Sequence, residues 1–484
     1  MTCTRSWLLA LALFVATLPC LNCQGGPSKP NIVFFLIDDL GWSDVGCYGS
    51  DYYETPNIDR LAREGIKFTD AYAGSCVCSP SRVSIMTGKY PHRLHITHAI
   101  PIDGSKRLNQ ARKGTTPLLD ADYCKNLPLE EVTIAEALKA GGYRTAFIGK
   151  WHCCWDERFF PEHQGFDVNI GGNGMGNPGN YFYPYNGQWR MTPDDPLITW
   201  NTLPDGRKGE YLTDRLGEEA VKFIEASKDR PFYLNLSHYA VHTPIQARRD
   251  LRKRFDAKAK DPAKGHTNSA YAAMIKSVDD SIGRVLRKLD DLGLTDNTVV
   301  IFTSDNGGYG PVTSNYPLRG NKGNFYEGGI RVPAIIKWPG VTQAGSISHD
   351  VIIGADFYPT LLEMAGLPLR PEQHKDALSL VPVLKQKGRL KREAVYWHFP
   401  NYIGGGHPNP ARPCSVMRAG SWKLIESLED KSVELFDLET DVRETTDLAR
   451  ERPDKVTALR EMLARHRKEA KVQMPRANPD YVAR

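Results

Sequence analysis

The chain has no internal repeat, no heptad run and no low-complexity tract, which sets aside solenoids and coiled coils. Charge of one sign is scarce too: a formal net charge of +5 over 484 residues licenses a mild attraction for anions and leaves no electrostatic footprint for nucleic acid. With 41% hydrophobic and 25% charged residues, neither disorder nor a multi-span membrane protein is favoured. The apolar stretch Trp7 to Leu18 is short for a membrane span of about 20 residues. Arg5 ahead of it and Pro19 behind it complete the layout of a secretory signal, assigned here to residues 1–25. The expectation is export to a periplasmic or extracellular space with no stable membrane insertion afterwards. Lipoprotein anchoring through Cys20 or Cys23 is the alternative, though neither has a small-residue context preceded by Leu three positions back.

Single cores stop growing near about 250 to 300 residues, so two domains are expected, 26–370 and 371–484. Strand and helix patterns alternate through the first. Asn31 to Ile37 is short, continuously apolar and preceded by Pro30, the pattern of a buried strand. Thr133 and Glu136 form a capping-box pattern before IAEALKAGG, and Gly141 and Gly142 close that helix ahead of the strand YRTAFIG. The order continues with a helix over 211–226, a strand over 232–236, a helix over 269–289, a strand over 298–302 and a helix over 355–365. This alternation predicts an α/β fold with a large, mostly parallel sheet between helices. After Gly366 the short runs AVYWHF, SVMRAG, WKLIES and VELFDL and a charged helix over 454–470 predict a smaller α+β domain with antiparallel strands. The tail MPRANPDYVAR reads as poorly ordered. Two long polar stretches, 101–131 and 164–200, interrupt the first domain. The aromatics of the second suit either substrate contact or loop packing. The basic run Arg248, Arg249, Arg252, Lys253 and Arg254 reads as solvated helix surface.

In an open α/β sheet, ligands bind beyond the carboxyl ends of the strands. Four such ends carry chemistry here: Asp38-Asp39, Lys150-Trp151-His152, His238 with His242, and Asp305-Asn306. Asp38, Asp39, Asp305 and Asn306 offer only oxygen and suit a hard cation such as Ca²⁺ or Mg²⁺, against the plainer alternative of turn residues. Arg82, Lys150, His152, His242 and Lys322 add positive or titratable charge that suits an anionic group gaining charge in a transition state. Seven cysteines remain once the signal is removed: Cys47, Cys76, Cys78, Cys124, Cys153, Cys154 and Cys414. The odd count in an exported chain points to one reactive or modified thiol, with the other six available for disulfides. Cys76 and Cys78 have no second pair at zinc-ligand spacing.

The run Cys78-Ser79-Pro80-Ser81-Arg82, followed by four residues and Thr87-Gly88, resembles the sulfatase signature Cys-x-Pro-Ser-Arg-x₄-Thr-Gly at every fixed position. The likeness extends to the Asp38-Asp39 pair, GKWH at 149–152, His242-Thr243-Pro244, SDNGG at 304–308 and GNKGNFYEGGIRVP at 320–333. The chain is thus similar to type I formylglycine-dependent sulfatases of the alkaline phosphatase-like superfamily. That resemblance implies conversion of Cys78 to Cα-formylglycine by a formylglycine-generating enzyme during maturation. It implies one Ca²⁺ per chain, held by Asp38, Asp39, Asp305 and Asn306 and faced by Cys78. Arg82 would hold the formylglycine, Lys150 and Lys322 would bind sulfate oxygens, His242 would protonate the leaving alcohol, and His152 would act in sulfate release. The family usually continues GKWH with Leu-Gly, whereas this chain has Cys153-Cys154: a vicinal disulfide, pairing with Cys124 or Cys47, and buried small residues are the alternatives, and a structural role is expected.

Recognition of the alcohol side is expected from His95, His98, Trp155, the aromatic loop around Tyr181 to Trp189, His407 and Arg412, because aromatic and basic groups suit a sulfated sugar. An exo-acting carbohydrate sulfatase is the leading reading. A phosphatase or phosphonate monoester hydrolase on the same scaffold is the enzymatic rival. A non-catalytic glycan-binding protein is the rival of another class.

Overall fold

The computed structural model describes residues 29–100, 114–185, 203, 205–403 and 410–482. The expected signal at 1–25, His407 and Trp189 lie outside them. Eight strands form the main sheet: β1 (Asn31–Ile37), β2 (Ile66–Phe68), β3 (Arg144–Gly149), β4 (Val168–Ile170), β5 (Phe232–Ser237), β6 (Thr298–Ser304), β7 (Ala334–Lys337) and β8 (Ser346–Ser348). Their spatial order is β8-β2-β7-β6-β1-β5-β3-β4. β1 lies centrally, parallel to β5 and β6, while β7 runs antiparallel to β6 and β2.

Period-two alternation sends successive β1 side chains to opposite faces. Val33, Phe35 and Ile37 join one apolar core, and Ile32, Phe34 and Leu36 join the other. The first core is closed by α1 (Pro56–Glu64), α4 (Leu212–Glu225) and α6 (Ser269–Asp291). The second is closed by α2 (Cys78–Thr87), α3 (Ile134–Ala140) and α7 (Phe357–Met364). The capping box ahead of α3 is formed: Glu136 N donates to Thr133 Oγ1 at 3.1 Å, and Thr133 N donates to the Glu136 carboxylate at 2.7 Å. The basic run lies on and beside α5 (Arg249–Ala257). Its Arg248 pairs with Asp214 and Arg254 with Glu54, as expected of solvated helix surface.

A second, antiparallel sheet comprises β9 (Val395–Phe399), β10 (Cys414–Ala419), β11 (Trp422–Ser427) and β12 (Val433–Asp437). One face carries α8 (Pro453–Glu469), whose Leu459 and Leu463 pack on Met417, Leu424 and Leu435. The opposite face, through Trp397, Phe399 and Val416, covers Tyr72, Cys76, Val77 and Phe325. The smaller sheet therefore presses directly on the backbone that leads into α2.

Three expectations change. The described part of the C-terminal tail is held by pairing: Arg476–Ala477 bridges Leu118–Leu119, and Asn478 Nδ2 donates to the Thr116 carbonyl at 2.8 Å. All seven cysteines are free thiols, so no disulfide joins the six set aside for pairing. Cys153 and Cys154 are wholly buried in the apolar core beside Trp151 and Phe160. Within the aromatic loop, Tyr181 and Tyr185 are buried core residues, which makes packing their role.

Candidate active site

The carboxyl ends of β1, β3, β5 and β6 meet the N-terminus of α2. Asp38 and Asp39 leave β1, Lys150 leaves β3, Asp305 and Asn306 leave β6, and Cys78 opens α2. Donor atoms of Asp38, Cys78 and Asp305 all lie within 4.8 Å of one another, as do those of Asp39, Cys78 and His242. Lys322 reaches in from the 319–330 segment, its Nζ 2.8 Å from Asp39 Oδ1. Lys150 Nζ donates to Asp38 Oδ2 at 2.6 Å.

Arg82, one turn into α2 from Cys78, is only 1% exposed. Its Nε donates to Asp305 Oδ2 at 2.9 Å, and one terminal nitrogen donates to the Lys150 carbonyl and to Ser237 Oγ, each at 2.7 Å. One planar guanidinium thus ties α2 to the ends of β3, β5 and β6, a fork geometry that lysine cannot supply. Ser237 is a part of the site that strand reading overlooked; its only signal in the sequence was its position at the end of a buried strand.

Backbone conformation contributes as well. Asp39 and His152 have φ of 60° and 52°, a left-handed conformation that costs a non-glycine residue energy and tends to be kept where geometry matters. Tyr271 Oη donates to the Asp39 carbonyl at 3.1 Å and to Asp44 Oδ2 at 2.7 Å, which braces the turn after β1. His152 Nε2 meets the Ile100 carbonyl at 3.2 Å. Gly176 closes on the face of this ring: a Cβ there would stand 2.8 Å from His152 Cε1. Tyr181 Oη donates to the His242 carbonyl at 2.9 Å, so the buried aromatic loop holds the backbone of His242.

Burial governs the electrostatics. It pushes the Asp38 carboxyl up to about 8, with Asp305 and Asp39 adding and Lys150 and Arg82 opposing. Burial also acts to raise Asp39, but Lys322, His242 and Lys150 outweigh it and hold that carboxyl well below the usual range. Burial raises the Cys78 thiol to about 11 despite Lys150 and Lys322. Such a thiol is protonated at neutral pH and is a poor nucleophile. Burial lowers His242 to about 3, with Lys322 adding, and this outweighs the attraction of Asp39 Oδ2 at 3.6 Å. His152 falls well below its ordinary value through burial and the charges of Lys150 and Arg82. Both rings are neutral here.

The donor set fits a hard cation. Asp38 Oδ1 and Asn306 Oδ1 are buried and accept no hydrogen bond, and a buried oxygen without a partner carries a desolvation cost that a cation would offset. Carboxylate and amide oxygens are the donors that Ca²⁺ and Mg²⁺ take.

The other described sequence candidates make contacts outside this cluster. His95 Nε2 meets the Lys471 carbonyl at 3.3 Å, a contact with the C-terminal tail. His98 stacks on Tyr123 with 5.6 Å between ring centroids. Trp155 is partly buried against the second core, and its backbone N donates to Asn126 Oδ1 at 2.8 Å. Arg412 pairs with Glu429 at 3.2 Å on the wall of a cleft of about 1020 Å³, which Asn321, Asn324 and Tyr402 also line. That cleft adjoins the segment that carries Lys322.

A family model described as Sulfatase matches residues 30–367. The chain belongs to the sulfatase family. A second model, for the C-terminal region of N-sulphoglucosamine sulphohydrolase, matches residues 321–473 of this sulfatase. It is 34% identical to a sulfatase of Formosa agariphila over 89% of its own length and 86% of the relative. It is also 34% identical to human N-acetylgalactosamine-6-sulfatase, over 78% and 70% of the two chains. Among solved structures, Ps i-CgsB in complex with k-i-k-neocarrahexaose superposes with a TM-score of 0.75 at 29% identity, covering 94% of this chain and 95% of that one.

Proposed function

We propose that this sulfatase is an exported, exo-acting carbohydrate sulfatase that hydrolyses sulfate monoesters with a formylglycine made from Cys78 and one bound Ca²⁺. The sulfated-sugar reading is supported by relatives whose names or bound ligands are carbohydrate. The observation that carries the mechanism is the convergence of Cys78, Lys150, Lys322 and four oxygen-bearing side chains at the N-terminus of α2. An unmodified thiol raised to about 11 is ill suited to attack at neutral pH, which favours its conversion by a formylglycine-generating enzyme. The hydrated aldehyde would supply two hydroxyls on one carbon, one to attack sulfur and one whose deprotonation expels sulfate.

Asp38, Asp39, Asp305 and Asn306 would hold the cation, whose charge would polarise the sulfate oxygens. Lys150 and Lys322 would bind those oxygens, and Arg82 would orient the nucleophile through its bonds to Asp305 and the Lys150 carbonyl. His242, 16% exposed at its side chain, faces the open side and would pass a proton to the leaving alcohol. A sulfate ester would supply the negative charge that favours its protonated form. His152, more deeply buried, would take the proton in the release step. Arg412 and the adjoining cleft would meet the sugar, with catalysis spanning 26–370 and the smaller domain 371–484.

The test is the mass of the tryptic peptide that contains Cys78, from protein made in its native host, together with turnover of para-nitrophenyl sulfate and phosphate. Formylglycine in the peptide and a preference for sulfate are expected. Unmodified cysteine in active protein would overturn the mechanism, and a strong phosphate preference would overturn the activity.

A further inference from the structure

The smaller sheet contributes a buried lysine to a six-charge cluster beneath the segment that carries Lys322. Lys423 of β11 is wholly buried, its Nζ 2.9 Å from Glu327 Oε1 and 2.8 Å from Glu444 Oε1. Glu327 also accepts from Tyr72 Oη at 2.6 Å and from Arg331 at 3.2 Å. Arg331 and Arg418 share Asp70, at 3.0 and 2.7 Å. Three carboxylates thus face three cations, each residue no more than 9% exposed. A buried, balanced network of this kind stabilises little against well-packed apolar residues, and its attested use is to select one geometry.

The geometry selected lies next to the reacting centre. Glu327 opens the helical turn Glu327–Ile330, and Glu444 Oε2 accepts from the Glu327 backbone N at 2.7 Å. Glu444 itself is left-handed, with φ of 53°, and its carbonyl accepts from Arg319 at 2.9 Å. Within the turn, the Gly329 carbonyl accepts from Gly307 N at 3.0 Å, and Gly307 directly follows Asn306. Lys322 N donates to the Gly308 carbonyl at 2.9 Å. There is no slack between these backbones: a Cβ on Gly307 would lie 1.9 Å from the Gly328 carbonyl oxygen. A displacement of the Glu327 turn is therefore passed to Asn306 and Lys322 rather than absorbed.

We infer that Lys423, gripped by Glu327 and Glu444, is a positioning residue that sets Lys322 and Asn306, so the smaller sheet takes part in building the sulfate and cation sites. The inference rests on reading Lys322 as a sulfate-binding residue and Asn306 as a cation ligand. Lys423→Met alone leaves the buried Glu444 without its cation, so the test uses the charge-balanced pair Lys423→Met with Glu444→Gln in the full-length matured enzyme. Three quantities are read: KM and kcat on a sulfate ester, inhibition by inorganic sulfate, and the calcium concentration at the midpoint of thermal stabilisation, which needs no turnover.

The expected result is a folded protein whose KM and sulfate inhibition constant rise about tenfold and whose calcium midpoint rises several-fold, with kcat falling less than KM rises. A folded variant with a lowered melting temperature but wild-type KM, inhibition and calcium midpoint would overturn the inference and leave the cluster as a structural joint. Should the pair fail to fold, Glu444→Gln alone, which keeps Lys423 on Glu327, is expected to move the same three quantities about threefold, and no movement in it would also overturn the inference. A wild-type enzyme without turnover of sulfate esters would instead overturn the functional reading, so the two failures are distinct.

Discussion

The contact between α8 and the turn that follows α2 is predicted to be acid-labile, and His466→Phe measures it. His466 Nε2 lies 2.8 Å from His92 Nε2, so one ring donates and the other accepts, and the His466 ring stacks on Tyr396 at 4.0 Å. Burial lowers His466 to about 4, with Arg93 adding and with Asp376 and Glu469 opposing. Burial lowers His92 further, aided by His466, His398 and Arg93. Burial also takes His398 to about 4, against its bond to the Gln473 carbonyl. The ordinary histidine value is about 6.5, so these rings hold fewer protons when α8 is docked than when it is open. Docking is favoured in full above about pH 6.5 and loses stability as the pH falls toward about 4. For His466 alone the loss at pH 5 is roughly 2 kcal/mol by linkage, nearer 1 after allowance for its partial exposure. Phenylalanine keeps the stack and removes the titration, at a cost of about 1 kcal/mol for the lost hydrogen bond. Hydrogen exchange of the α8 amides at pH 7.5 and 5 reads this local opening. The variant is expected to be less protected than wild type at pH 7.5, and the variant-to-wild-type protection ratio should rise about 5- to 30-fold at pH 5. A ratio unchanged between the two pH values would refute the argument.

Calcium should stabilise the enzyme through the oxygens that lack partners: at about 100 times Kd the gain is about 2.7 kcal/mol, read as a melting temperature that falls on chelation and recovers on calcium addition. A chelator-treated, active enzyme with an unchanged melting temperature would count against the cation site. Gly176→Ala places a Cβ 2.8 Å from His152 Cε1, which forces the ring aside. A misplaced catalytic group of this kind costs on the order of 10- to 100-fold in kcat, with little change in melting temperature expected, and a wild-type kcat would remove His152 from the mechanism.

What could be read from the chain was what local pattern encodes. Asn31 to Ile37 announced a buried strand because it is continuously apolar after its first residue, and Thr133 with Glu136 announced the start of α3 because capping is settled within four residues. Asp38-Asp39 and Asp305-Asn306 could be placed together because parallel strands present their carboxyl ends at one edge. Contacts between distant segments were not legible. Arg476 and Ala477 looked like a loose tail because their partners, Leu118 and Leu119, are remote in sequence. His95 looked like a substrate residue because nothing nearby reveals that Lys471 faces it. For Cys153 and Cys154 the sequence left disulfide pairing and plain buried filling both open, and their burial as free thiols beside Trp151 makes them two small apolar fillers. Lys423 and Glu444 gave no local signal, since each alone is an ordinary charged residue, and Glu327, though inside GNKGNFYEGGIRVP, gave none of its distant partners.

Charge counting bears on why a sulfate ester suits this pocket. With Asp38 ionised, as a bound cation would require, Asp38, Asp39 and Asp305 balance Lys150, Arg82 and Lys322, all buried, and the rings of His152 and His242 are neutral before a substrate arrives. With a divalent cation bound, the pocket would carry two positive charges. A sulfate monoester brings one negative charge and an ionised nucleophile brings another, which restores neutrality. A phosphate monoester dianion would bring one further negative charge, which the protonated His242 that the leaving alcohol requires would meet. Lys322, the cation held by Asp39 and by the backbone of Gly308, sets that count together with Lys150 and Arg82.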